Sequence, residues 1–348
     1  MKTTRRSLMT AASALAFAAL TATSAVAQEV TLKMHQMLPQ QAAIPSQMLE
    51  VWANNVEEQS NGAIKVDRYP AMQLGGVPPE LVDQVQDGVA DVIWTVVGYT
   101  PGRFPATEVF ELPFFVDDAR AATYAYWTMY EESMRETDFP DMKMLATFVH
   151  GPGLFHTKDP VETPADLEGM KIRGGSRLVN QMLELVGATP VGMPVPGVSE
   201  ALSKGVIDGT TLPWEVTTAV RSSELVSNHT SFEGAGLYTL TFIVAMNQGV
   251  YDGLSDELKA VIDSNSGLDF SMLGADVMLD FDARGMTIAE DLGNNFIEID
   301  AATVEAEWVP AVQPIYESWV ADMNERGYDG QALIDRARAL MDEYKATN

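Results

Sequence analysis

Cysteine is absent from the 348-residue chain, which excludes thiol nucleophiles, thiolate metal sites and disulfides alike. Positive charge is scarce: 22 Lys plus Arg stand against 49 Asp plus Glu, a formal net charge of -27. Such a chain repels the phosphates of nucleic acids and an anionic membrane surface. Histidine occurs only at His35, His150, His156 and His229; no two are four apart and no H-E-x-x-H is present, so a zinc hydrolase has no local signature. Neither G-x-x-x-x-G-K-[S/T] nor a strand-anchored G-x-G-x-x-G is found, and G-x-S-x-G is missing, so phosphate-cradle and hydrolase chemistry have no support. The expectation is a protein that is not an enzyme and takes neither cofactor nor metal.

What is present begins with an address. Lys2, Arg5 and Arg6 precede an Ala/Leu-rich run from Leu8 to about Leu20, and Ala25-Val26-Ala27 forms a small-x-small site before Gln28. This is the pattern of a secretory signal peptide over residues 1–27. A membrane span needs about 20 strongly apolar residues, whereas this run is broken by Thr10, Ser13, Thr21 and Thr23. Arg5-Arg6-Ser7-Leu8-Met9 fits a twin-arginine signal as well as the general export route. Cleavage removes Lys2, Arg5 and Arg6 from the 22 basic residues and no acid, leaving 19 against 49 and a net of -30. A soluble, acidic, exported protein of the bacterial periplasm is expected.

Along the remainder, Val30 to Met34 reads as a strand and Ile44 to Glu58 as a helix with Met48, Leu49, Trp52 and Val56 on one face, stopped at Asn61-Gly62. Ile64 and Val66 alternate with Lys65 and Asp67 as a strand. Pro78-Pro79 opens a second helix that Gly88 ends before the apolar stretch Val89 to Val97. The order β-α-β-α-β predicts a parallel sheet covered by helices. The grammar then repeats: a single turn at Thr163-Pro164-Ala165-Asp166, a strand at Met170 to Arg173, a helix through Leu178, Met182 and Leu183, a strand from Thr189 to Met193, and a short helix from Val198. After about Leu254 the periodicity is helical. No low-complexity tract or Gly/Ser linker interrupts the chain, so the two α/β units are expected to join through ordered crossings.

The most informative constellation is Arg173, at the carboxyl end of its predicted strand and immediately before Gly174-Gly175-Ser176 and a helix start. Ligands bind in open α/β sheets at such positions. Small residues let backbone N–H groups approach a ligand, a helix N-terminus favours negative charge, and a guanidinium clamps a carboxylate through two parallel hydrogen bonds. The ligand this site suits is an anion, most simply a carboxylate; a surface arginine paired with one of the many acids is the alternative.

Several segments carry a resemblance. Ser60-Asn61-Gly62, Gln73-Leu74-Gly75, Gln86-Asp87-Gly88 with Ala90-Asp91, and Leu112-Pro113-Phe114-Phe115 occur in order in the first half. Thr163 to Arg173, read T-P-A-D-L-E-G-M-K-I-R, is followed by Gly187-Ala188-Thr189-Pro190-Val191 and Gly205-Val206-Ile207-Asp208-Gly209. With these segments the sequence resembles the DctP-like substrate-binding proteins of TRAP (tripartite ATP-independent periplasmic) transporters. The resemblance implies an α/β fold of two domains with mixed sheets, multiple interdomain crossings and long C-terminal helices. It places the first domain at 28–149 plus about 236–278 and the second at 150–235 plus about 279–348. It further implies a non-catalytic receptor that closes on an organic acid, with Arg173 pairing its carboxylate, and then delivers it to a membrane permease driven by an ion gradient.

Two departures bear on the ligand. Sialic-acid-type members carry a second arginine about twenty residues before that of the K-I-R motif, where this chain has Gly153. They also place an asparagine just after the D-G pair, where this chain reads Thr210-Thr211-Leu212-Pro213-Trp214-Glu215. The expected ligand is therefore a small monocarboxylate, in one reading an aromatic one, with a C4-dicarboxylate as the alternative and a secreted hydrolase or isomerase as a more remote one. Trp214, Phe155 and Trp94 are candidate aromatic walls, Val195 a candidate apolar contact, and Thr211 and Asn247 candidate hydrogen-bond donors. His35 and Gln36, ending the first strand, are the candidate polar contacts from the other domain.

Overall fold

A computed structural model describes residues 30–348; the expected signal peptide at 1–27 lies outside the described residues. The first sheet contains β1 (Val30–Gln36), β2 (Ile64–Tyr69), β3 (Val92–Val96), β4 (Met142–Val149) and β10 (Thr241–Asn247), in the order β2-β1-β3-β10-β4. β1 pairs in parallel with β2 and β3, as the β-α-β-α-β order requires. The connecting helix is continuous from a wide turn at Pro45–Leu49 through Glu50–Gln59 and buries Met48, Leu49, Trp52 and Val56, the face that the spacing predicts. β10 enters from far along the chain and lies antiparallel between β3 and β4.

The second sheet contains β5 (Leu154–Thr157), β6 (Lys171–Gly174), β7 (Thr189–Gly192), β8 (Gly209–Leu212), β9 (Asn228–Phe232) and β11 (Asn295–Ile299), in the order β11-β9-β5-β8-β6-β7. β6 runs parallel to β7 and β8, and β5 antiparallel to β8 and β9. Both sheets are thus mixed, and the fold is the two-domain α/β arrangement expected. One element departs from the helical expectation after Leu254: Asn295–Ile299 is a strand parallel to β9. Its inward Ile297 and Ile299 alternate with the more exposed Phe296 and Glu298, a period of two that selects a half-buried edge strand.

The sheets are joined by ordered chain. Residues 150–153 lead from β4 to β5, and 233–240 lead back from β9 to β10. The 24-residue helix Leu268–Asp291 packs against both β4 and the helix Trp214–Val220. The final helix, Gly330–Thr347, lies on the helix Ala119–Met129, which itself covers β4. Arg336 with Glu132 and Lys345 with Asp117 bridge the adjoining surfaces. That helix falls in the stretch expected with the second unit, but it shields the flank of the first sheet. Among the described residues no helix is long and apolar enough to cross a membrane.

Candidate functional site

Arg173 sits on β6, whose neighbours β7 and β8 lead into the segments that hold its side chain. Nε donates to the Met193 carbonyl at 2.8 Å and Nη1 to the Thr211 carbonyl at 3.1 Å. The Tyr99 hydroxyl also interacts with the guanidinium; of its five N–H donors, those of Nη2 find no acceptor. The residue is 0% exposed. Among the described residues no carboxylate forms an ion pair with it. A buried charge without a counter-charge is costly, and a site built to hold one is built for an anion.

The Gly-Gly-Ser turn makes this burial feasible. A Cβ on Gly175 would lie 2.7 Å from Leu240 Cδ1 and 3.1 Å from Arg173 Nη2, so any side chain there would intrude on the guanidinium. Ser176 then caps the helix Arg177–Leu185 by accepting from the Val179 N–H.

Arg173 lines a tight cavity of about 30 Å³ between the two sheets, smaller than the sites that enclose small-molecule ligands. From the first sheet and its loops come Met37, Leu38, Trp94, Val96, His150 and Phe242; from the second come Arg173, Val195, Leu212, Pro213, Glu215 and Val216. Tyr238 and Leu240 of the returning crossing and Met278 of the long helix complete it. Trp94 stacks on Phe242 with centroids 5.8 Å apart and planes 11° from parallel, and Phe242 stacks on Phe148 at 5.3 Å and 10°. The result is a flat aromatic wall. The indole Nε1 of Trp94 is a second buried donor with no acceptor.

Electrostatically the cavity holds one cation. The His150 Nδ1 bonds the Gly151 carbonyl at 2.5 Å and its Nε2 accepts from the Leu240 N–H at 3.0 Å. Burial pushes this imidazole down to about 4, so it is neutral at pH 7. Burial, with the nearby Asp282, pushes the Glu215 carboxyl up to about 8, so it too is mostly uncharged. Arg173 therefore faces an otherwise neutral, largely apolar enclosure, and a single carboxylate satisfies it.

Contacts between the lobes surround this cavity. The Val195 N–H donates to the Tyr99 hydroxyl at 2.9 Å. Arg177, one turn beyond β6, chelates Glu108 of the segment Pro105–Glu111 through Nε and Nη2. Its Nη2 also approaches Asp322 at 3.2 Å, while the Trp319 indole donates to Glu108 at 3.1 Å. The two lobes are thus clasped beside the cavity.

The sequence-predicted site residues divide by placement. Arg173, Trp94 and Val195 line the cavity. Thr211 borders it through the backbone, its carbonyl holding Arg173. Gln36 shapes it: its side chain donates to the Leu38 carbonyl at 2.7 Å and accepts from the Leu38 N–H at 2.5 Å, fixing the Met37-Leu38 turn that reaches in. Phe155 packs instead on Phe232 and Trp308. Trp214 packs on Leu154 and Ala289 and stacks on Phe296 at 5.4 Å. The stretch after Asp208-Gly209 does reach the cavity, but through Leu212, Pro213, Glu215 and Val216. His35 bonds Gln84 at 2.6 Å and the Leu74 N–H at 3.3 Å. Asn247 caps the helix Gln248–Asp252 and bonds the Val85 and Gln86 carbonyls. These last two brace the first domain and do not meet the others.

His150, Tyr238, Phe242 and Glu215 were not singled out by sequence reasoning as ligand contacts. The structure adds to one departure noted in the sequence: a Cβ on Gly153 would lie 2.3 Å from the Tyr238 ring. A phenol ring thus fills the space beside the glycine where the resemblance to sialic-acid-type members implied a second arginine.

Comparison with known proteins agrees with this geometry. Residues 36–322 match the family described as DctP, bacterial extracellular solute-binding protein, family 7. A TRAP solute binding protein from Rhodoferax ferrireducens, solved in complex with copurified benzoate, is 45% identical and superimposes with a TM-score of 0.88, covering 91% of this chain and 99% of that one. A marine metagenome TRAP solute binding protein specific for aromatic acid ligands, co-crystallized with 3-hydroxybenzoate, gives the same identity, coverage and score. A TRAP periplasmic protein from Bordetella bronchiseptica with bound (R)- and (S)-mandelate is 28% identical over 90% of this chain and 99% of that one, with a TM-score of 0.83. With a family match spanning most of its length and these structural relatives, the chain belongs to the family 7 bacterial extracellular solute-binding proteins, as a solute receptor of the TRAP type.

Proposed function

We propose that this receptor works in the periplasm, binds a monocarboxylic aromatic acid in the cavity around Arg173, and releases it chemically unchanged to a TRAP membrane permease. The observation that carries the reading is a fully buried guanidinium, without a counter-ion, facing the flat Trp94–Phe242 wall. A carboxylate would take the free N–H donors of Arg173 in a bidentate pair, and the ring would lie against the stacked aromatics. The relatives that bind benzoate, 3-hydroxybenzoate and mandelate support the same ligand class.

Because the cavity is smaller than an aromatic acid, entry requires the domains to part. The crossings at 150–153 and 233–240 and the long helix Leu268–Asp291 are the segments on which we place that hinge. The division between moving bodies then follows the two sheets, with the last helix travelling with the first. Export through the signal peptide at 1–27 accounts for the compartment.

Isothermal titration of the purified mature protein with benzoate, mandelate, succinate, malate and fumarate tests the reading. Micromolar affinity, roughly -8 kcal/mol, for at least one aromatic monocarboxylate and none for the dicarboxylates is expected. Tighter binding of a C4-dicarboxylate would overturn it, since a second carboxylate meets no second cation in the cavity. Mass spectrometry of the recovered ligand checks that it leaves unaltered.

A further inference from the structure

Besides the Trp94 indole, the cavity contains another functional group that ion pairing with a carboxylate does not employ. Glu215 follows β8 at the start of the helix Trp214–Val220 and is 4% exposed. Its backbone N–H donates to Asp282 Oδ1 at 2.7 Å, which anchors that first turn to the long helix. Its backbone carbonyl accepts from the Thr218 hydroxyl at 3.1 Å. The side-chain carboxyl, by contrast, enters no hydrogen bond and no ion pair with any described residue, and it lines the cavity that Arg173 lines. Around it the lining is apolar: Leu212, Pro213, Val216 and Met278.

A carboxyl that opens only onto a small cavity, on a residue this deeply buried, and has no partner calls for one. Arg173 does not supply it, because the two side chains form no salt bridge and Arg173 is not among the causes that set the Glu215 titration. A second carboxylate on the ligand would be a poor partner, since Asp282 already makes this corner unfavourable to negative charge. Held neutral at pH 7 by burial and by Asp282, the carboxyl presents one O–H donor and one carbonyl acceptor. That pair complements a hydroxyl group, which both donates and accepts.

We propose that Glu215 is a specificity residue that reads a hydroxyl carried by the ligand, so that the receptor selects hydroxylated aromatic carboxylates over their unsubstituted parents. The inference rests on the aromatic-acid reading above and names the substituent that reading leaves open. A site that hydrogen-bonds a ligand hydroxyl discriminates strongly against the analogue lacking it, because its own polar group is then left unpaired.

The test is titration calorimetry of the wild-type protein, Glu215→Gln and Glu215→Leu with benzoate, 3-hydroxybenzoate and 4-hydroxybenzoate, read as the ratio of dissociation constants. Wild type is expected to prefer one hydroxybenzoate over benzoate by tenfold or more. Glu215→Gln, a neutral isostere with donor and acceptor, is expected to keep most of that ratio, and Glu215→Leu to bring it to within about twofold of unity. A wild-type ratio already near unity, or a preference that survives in Glu215→Leu, overturns the assignment of Glu215 and leaves the aromatic-acid reading standing. If Glu215→Leu does not fold, Glu215→Ala takes its place with the same expected and overturning outcomes. Failure of wild type to bind any of the three acids would overturn the broader reading and this one with it.

Discussion

Arg173 and Thr211 hold each other twice. The Arg173 Nη1 donates to the Thr211 carbonyl, and the Thr211 hydroxyl donates to the Arg173 carbonyl, both at 3.1 Å. The neighbouring strands β6 and β8 thereby fix both the side chain and the backbone of the one cation in the cavity. The guanidinium plane is set before any ligand arrives, and little ordering cost remains to be met on binding.

A charge installed in this way lowers the stability of the empty protein. Arg173→Met is expected to raise the melting temperature of the unliganded receptor, since a buried charge without a counter-charge is costly. The same variant should show no shift on adding an aromatic carboxylate. Arg173→Lys keeps the charge but loses the planar two-point geometry, and its affinity should fall by about a hundredfold. Thermal denaturation with and without ligand reads both; a ligand-induced shift preserved in Arg173→Met would disprove the ion pair.

Gly153 offers a check on why the second cation is missing. With its Cβ position 2.3 Å from the Tyr238 ring, Gly153→Ala must displace a buried ring that lines the cavity. A loss of about 1–3 kcal/mol is expected from overpacking, together with weakened ligand binding. In the background of Tyr238→Ala the same substitution should cost much less, a non-additivity that a double-mutant cycle measures. Equal costs in both backgrounds would show that Tyr238 does not set the requirement for glycine.

The sequence made the architecture and the position of Arg173 legible because both follow from local rules: β-α-β order, strand ends, and small residues before a helix. Trp94 and Val195 were reachable for the same reason, one lying on an apolar strand and the other following Pro194. Phe155 and Trp214 show where local rules stop. Each lies in the right segment, yet which side of the backbone faces the other domain depends on how the sheets pack. Trp214 turns toward Phe296, a residue of β11 whose strand character was itself missed, while its neighbour Glu215 turns inward. Tyr238, His150 and Phe242 come from crossings and from β10, and their approach to Arg173 is a long-range property of the chain path. His35 and Asn247 end strands as expected but find partners within their own domain.

The clasp between Arg177 and Glu108 predicts an effect on closure. Glu108→Ala removes the acceptor for both Arg177 and the Trp319 indole and should reduce the closed fraction of the protein. Apparent affinity falls by that fraction, and about a fivefold to hundredfold weakening is expected, expressed mainly in the dissociation rate. Small-angle scattering of the unliganded variant should show a larger radius of gyration than wild type. An unchanged dissociation rate would mean that the clasp does not govern closure.

The buried titratable groups predict how stability depends on pH. His150 and His229 are pushed down to about 4, chiefly by burial, and His156 well below its ordinary value by burial and then by the neighbouring His229. As pH falls from about 6.5 toward 4, the unfolded chain takes up protons that the folded one refuses, and stability is lost. The carboxyls work in the opposite direction. Burial first, with like charge from Asp282, raises Glu215 to about 8; burial raises Glu111 and Asp282 to about 7. Their contribution is fully present below the unfolded carboxylate range near 4 and is lost as pH rises through about 7 to 8, because the unfolded chain releases protons that the folded one retains. Above pH 6.5 the histidine slope fades, offsetting part of the carboxyl slope near pH 7 and disappearing by about pH 8, so the carboxyls leave a net decline. Near pH 7 it should amount to about 1–2 kcal/mol per pH unit, at about 1.4 kcal/mol for each proton held only by the folded state. The melting temperature is therefore expected to fall from pH 6.5 to pH 9, and Glu215→Gln, which cannot ionise, should flatten that decline. A melting temperature that rises over this interval, or one whose slope Glu215→Gln leaves untouched, would show that Glu215 is ionised in the folded protein at neutral pH.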